Sequence, residues 1–115
     1  LEFIDRVFAR RPSPLARHAL AMGLRARLRD PGLRALVECI GPDVMLRGDE
    51  LASIQAPALL LWGREERLLP PEVLDFFVRN LPADALIERW HRFGHIGCLE
   101  QAPAVARRAV EFSYE

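Results

Sequence analysis

Apolar positions recur at helical spacing through the first half of the chain and gather into short unbroken runs in the second. Ile4, Val7 and Phe8 share one helical face, and Pro12 closes that segment. Ser13-Pro14 then gives a start signal: a hydroxyl to cap free N–H groups, followed by a proline suited to the first helical position. Leu20, Leu24 and Leu28 follow at every fourth residue. Asp30-Pro31 ends this helix and starts another, in which Leu33, Leu36, Val37 and Ile40 form an i, i+3, i+4, i+7 stripe. Gly41-Pro42 closes it, and a third helical stretch is predicted over Asp43 to Ser53.

The pattern changes at Gln55-Ala-Pro57. Ala58-Leu-Leu-Leu-Trp62 is apolar on both faces and bounded by Pro57 and Gly63, as expected of a strand buried on both sides in a parallel sheet. Pro70-Pro71 opens a helix that is predicted to end near Asn80. Pro82 and Asp84 mark a turn, and Ala85 to Trp90 is a second strand. Pro103 starts a last helix with Val105, Ala109 and Phe112 on one side. The order is helices, then β-α-β-α, which implies parallel pairing with a right-handed crossover. Two strands do not make a stable sheet alone, so further strands are expected from upstream sequence or another chain. The predicted division is a helical segment, residues 1–53, and an α/β segment, residues 54–115.

With 115 residues and half of them hydrophobic, the chain has the material for a packed core. Its net charge of zero argues against a nucleic-acid binder. The charge is uneven, with eight Arg and three acids in residues 1–34 (net +5) and the reverse imbalance after them. Cys39 and Cys98 are too few for a disulfide framework. No apolar run is long enough to span a bilayer and no signal-peptide pattern opens the chain, so a soluble, cytoplasmic location and no membrane partner are expected.

The candidate chemistry lies in two loops. Glu66 follows Trp62 by four residues, and His95 follows Trp90 by five. In open parallel sheets, function sits beyond the carboxyl ends of the strands. Neighbouring strands would therefore bring a carboxylate and an imidazole to one crevice. A histidine takes and returns a proton near neutral pH, and a carboxylate fixes its tautomer. Glu65 competes with Glu66 for the acid role. His91 stands i, i+4 from His95 but lacks partners at metal-ligand spacing, so no metal is expected. Cys98 is read as a small buried residue and not as a nucleophile.

Pro57, Leu59-Leu-Leu-Trp-Gly63, Arg64-Glu65-Glu66, Arg67-Leu-Leu-Pro70, Gly94-His95 and Glu100-Gln101-Ala-Pro103, taken together, resemble the C-terminal end of the α/β-hydrolase family. The similarity runs from about Leu51 to Glu111, and the helices before it loosely resemble the family's cap. The fold class implied is α/β: parallel strands with flanking helices, preceded by helical cap segments. The resemblance implies His95 as general base and Glu66 as triad acid, where the family more often has Asp. In this family the nucleophile precedes both, so it is expected upstream of Leu1. None of Ser13, Ser53 and Ser113 has an elbow pattern, and the chain alone is expected to be inactive. The implied substrate is a small or medium apolar ester, with no cofactor. An Arg-rich cap leaves room for an anionic substrate or an acidic carrier protein, although solvated helix faces explain it more simply. Two alternatives stay open: a non-catalytic binding or scaffold module of the same fold, and an epoxide or haloalkane hydrolase with an upstream Asp nucleophile.

Overall fold

The computed structural model describes residues 2–114. Helices α1 (Glu2–Val7), α2 (Pro14–Arg27), α3 (Pro31–Glu38) and α4 (Gly48–Ala52) come first, with a 3-10 turn at Pro42–Val44. Strand β1 (Leu59–Gly63), helix α5 (Pro71–Asn80), strand β2 (Leu86–Trp90) and helices α6 (Gly97–Glu100) and α7 (Ala102–Phe112) follow. The predicted helix over Asp43 to Ser53 is therefore two shorter pieces, because the chain between them, Met45 and Arg47, is extended.

The helix starts follow the sequence signals. Ser13 Oγ accepts from the Ala16 amide at 3.3 Å, and Asp30 Oδ1 accepts from the Leu33 amide at 3.0 Å. Each replaces a partner that the first turn of a helix lacks. Pro31 and Pro71 sit inside the first turns they open, where a missing N–H costs nothing.

β1 and β2 pair in parallel, with Leu59 opposite Leu86 and Gly63 opposite Trp90. The crossover between them is α5, whose Phe77 ring lies 6.3 Å from the Trp62 ring. Glu88 and Trp90 face the other layer: Glu88 Oε1 accepts from Arg108 Nε of α7 at 2.7 Å, and Glu88 Oε2 accepts from Trp90 Nε1 at 2.8 Å. Hydrogen bonding to Arg108 and then to Trp90 holds the Glu88 carboxyl below the ordinary 4.5 of a glutamate. Leu59 to Trp62 are half-buried, not enclosed on both sides as the apolar run predicts. Only β2 is paired with β1 among the described residues.

The core is small: among the described residues, the buried hydrophobics are Ile4, Val7, Leu51 and Phe93. α1 rests against the α/β half, because the Ile96 amide donates to the Val7 carbonyl at 3.3 Å. The predicted leucine stripes of α2 and α3 are only partly covered, with Leu24 and Leu33 half-buried and the rest open to solvent. Leu20 and Leu36 are 41% and 64% exposed, and a pocket of ≈ 220 Å³ between Leu28 and Val37 lies apart from the loops that follow the strands.

Candidate functional site

The two loops that leave the carboxyl ends of β1 and β2 meet. Gly63 makes this possible: a Cβ there would stand 1.9 Å from the Phe93 carbonyl oxygen. The Arg64 amide then donates to the Trp90 carbonyl at 2.9 Å, carrying the ladder one step past the strands. The β2 loop turns at Arg92, whose φ of 57° is in the left-handed region.

His95 Nδ1 lies 2.9 Å from Glu66 Oε2. The Glu66 side chain is 10% exposed and that of His95 33% exposed, so the pair is sheltered on the acid side and open on the imidazole side. Glu66 Oε1 accepts from the amides of Leu68 at 2.6 Å and Leu69 at 3.1 Å. Burial alone would push this carboxyl up. The two backbone bonds and the His95 contact outweigh it and hold the group below its ordinary 4.5. An ionised Glu66 accepts and does not donate, so Nδ1 carries a proton, and in the neutral imidazole Nε2 is the nitrogen left with the lone pair. Nε2 meets no protein partner among the described residues. The arrangement is a carboxylate-oriented imidazole ready to take a proton at Nε2.

Glu65, the competitor, goes elsewhere: Oε2 accepts from the Phe93 amide at 3.2 Å, and Oε1 stands 3.8 Å from His91 Nδ1. Each glutamate thus has its own histidine. Among the described residues, no group of three or more His, Cys, Asp and Glu is placed to hold a metal ion. Cys98 corrects its expectation, since it is exposed as a free thiol on α6, whose buried side is Gly97 against the Phe93 ring. The three serines are engaged locally. Ser13 caps α2, Ser53 Oγ donates to the Glu50 carbonyl at 2.8 Å, and Ser113 Oγ donates to the Val110 carbonyl at 2.7 Å.

Glu100 and Gln101 belong to the family-like pattern, but nothing in the sequence shows what they hold. Glu100 accepts from the amides of Ala9 at 2.9 Å and Gly94 at 3.0 Å. Gln101 Nε2 donates to the carbonyls of His91 and Arg92, both at 2.8 Å, holding the left-handed turn. Arg67 was likewise missed, and its guanidinium binds carbonyls at the end of α1. These partners lie up to 91 residues away, so no local signal marks them.

Beside Glu66 lies an open cleft of ≈ 1070 Å³. Its lining includes Arg6, Arg11, Arg17, Arg64, Arg67 and Arg89 against the acids Glu2, Asp5, Glu66 and Asp75. Arg6 is paired with Glu2 at 2.7 Å, and Arg17 stands 3.1 Å from Asp5.

The chain is 38% identical over 65 residues to a protein of Burkholderia vietnamiensis (strain G4 / LMG 22486) named 2-hydroxy-6-oxononadienedioate/2-hydroxy-6-oxononatrienedioate hydrolase. It is 35% identical, again over 65 residues, to a protein of the same name from Cupriavidus pinatubonensis (strain JMP 134 / LMG 1197). Each match covers 56% of this chain and 22% of the relative. The chain therefore corresponds to under a quarter of the length of these relatives. No family model and no solved structure matches it. Both relatives are hydrolases by name, and the mixed fold with its small parallel sheet is compatible with part of an α/β fold.

Proposed function

We propose that the chain is the cap and C-terminal portion of an α/β-hydrolase, contributing Glu66 as the triad acid and His95 as the general base. The observation that carries this is the 2.9 Å contact between His95 Nδ1 and Glu66 Oε2, across loops that leave adjacent parallel strands. A nucleophile from a segment outside these residues would lose its proton to His95 Nε2 as it attacks a carbonyl. His95 would then return the proton to the leaving group, while Glu66 balances the imidazolium. The hydrolase names of both relatives support this class.

The substrate class proposed is a small carbonyl compound, and the arginines of the cleft beside Glu66, whose lining does not include His95, favour one with a carboxylate. Six arginines against four acids line the cleft, and the relatives are named for dioates. An anionic substrate suits this lining better than a neutral apolar ester.

The test uses the protein containing this segment together with the nucleophile, assayed on an activated ester and on a dicarboxylate keto compound. His95→Ala is expected to lower kcat on the order of 10⁴-fold or more, and Glu66→Gln by a comparable factor, with KM little changed. Turnover that persists in His95→Ala overturns the assignment. The 115 residues alone are expected to stay unlabelled by a serine-directed fluorophosphonate. Labelling at Ser13, Ser53 or Ser113 that needs His95 would show a nucleophile inside the segment.

A further inference from the structure

The contact between Glu66 and His95 joins two loops that are 29 residues apart in sequence. Both loops are fastened to a third piece of chain, residues 5–9, at the end of α1. On the acid side, Arg67 directly follows Glu66. Its Nη2 donates to the Asp5 carbonyl at 2.9 Å, to the Ala9 carbonyl at 3.3 Å and to the Phe8 carbonyl. The last carbonyls of a helix lack partners within it, and a planar guanidinium suits several of them at once. On the histidine side, Glu100 spans the gap: one carboxylate oxygen accepts from Ala9 and the other from Gly94, the residue before His95. The residue after His95 is tied down as well, by the Ile96 amide on the Val7 carbonyl at 3.3 Å. Contact here is too close for a side chain, since a Cβ on Gly94 would stand 2.4 Å from the Ala9 nitrogen.

We propose that Arg67 and Glu100 are positioning residues: by clamping the acid loop and the histidine loop to the shared segment 5–9, they set the spacing and tilt of the Glu66–His95 pair. Neither touches the imidazole, and both act through backbone that flanks the two reacting side chains. The proposal rests on reading His95 and Glu66 as base and acid. Its test reads their placement without turnover, so either idea can fail alone.

The measurement is the imidazole ¹⁵N spectrum of His95, which distinguishes a proton fixed on Nδ1 from one shared between the two ring nitrogens. In the unaltered protein, the signature of the Nδ1–H tautomer is expected. Arg67→Ala and Glu100→Gln are each expected to move it toward the averaged signature, and Arg67→Lys to restore part of it. Because both clamps act on one segment, the double variant is expected to fall short of the sum of the singles. Glu88→Gln breaks an ion pair of similar size on the α7 face and is expected to leave the His95 spectrum unchanged. In the active protein, Glu100→Gln, which does not line the cleft, is expected to lose about tenfold in kcat at constant KM. A folded Arg67→Ala or Glu100→Gln protein with the wild-type imidazole spectrum overturns the proposal. If neither variant folds, amide exchange in the unaltered chain decides. The Ala9 and Gly94 amides are expected to be slowed together by about tenfold or more. An Ala9 amide that exchanges like an unbonded loop amide overturns it.

Discussion

At the scale of the residue, the decisive group is Glu66. Backbone donors make a nearly buried carboxyl prefer its ionised form, and that preference couples the pair to pH. A carboxyl held lower in the folded state than in the unfolded chain stabilises the fold above its unfolded value; the stability is lost as pH falls through the folded one. Urea titrations from neutral pH down past 4.5 are expected to show this acid-side loss. Glu66→Gln is expected to flatten it, and an unchanged acid limb in that variant would contradict the account. Arg89 belongs to the same scale. If the cleft takes an anionic substrate, Arg89→Ala should raise KM for a dicarboxylate about tenfold while leaving that for a neutral ester alone. Only the family resemblance favoured Glu66 over Glu65 in the sequence, because adjacent identical side chains differ only in where the loop aims them. The loop aims one at His91 and the other at His95.

At the scale of the element, capping and close approach decide what holds. The starts at Ser13-Pro14 and Asp30-Pro31 were legible because a cap acts within three residues of itself, and that at Pro70-Pro71 because proline suits the first helical position. Asp30→Ala is expected to cost about 1 kcal/mol and to reduce the helical circular dichroism. Both strands were legible too, β1 as an apolar run between Pro57 and Gly63 and β2 as the stretch that follows the turn at Pro82 and Asp84. Their burial was not, because burial depends on which other elements cover them. Gly63 gives the sharpest element-scale test. Gly63→Ala forces a methyl onto the Phe93 carbonyl and is expected to cost about 1–3 kcal/mol or more in chemical denaturation. A neutral Gly63→Ala would mean that Gly63 and the Phe93 carbonyl sit far enough apart to admit a methyl group.

At the scale of the whole molecule, the balance of order is uneven. The radius of gyration of 16.6 Å exceeds the roughly 13 Å of a compact chain of about 100 residues. No residue of α2, α3, α5 or α7 is fully buried. Leu36, Val37 and Ile40 leave an apolar face of α3 in water, so the isolated chain is expected to self-associate as concentration rises. Sedimentation should show Leu36→Glu with Ile40→Glu reducing that tendency. The parallel pairing has a consequence in time. A capped helix forms from neighbours in nanoseconds to microseconds, whereas Leu59 can find Leu86 only after the whole crossover has been drawn in. The imidazole and its carboxylate therefore meet only once that long-range pairing has formed.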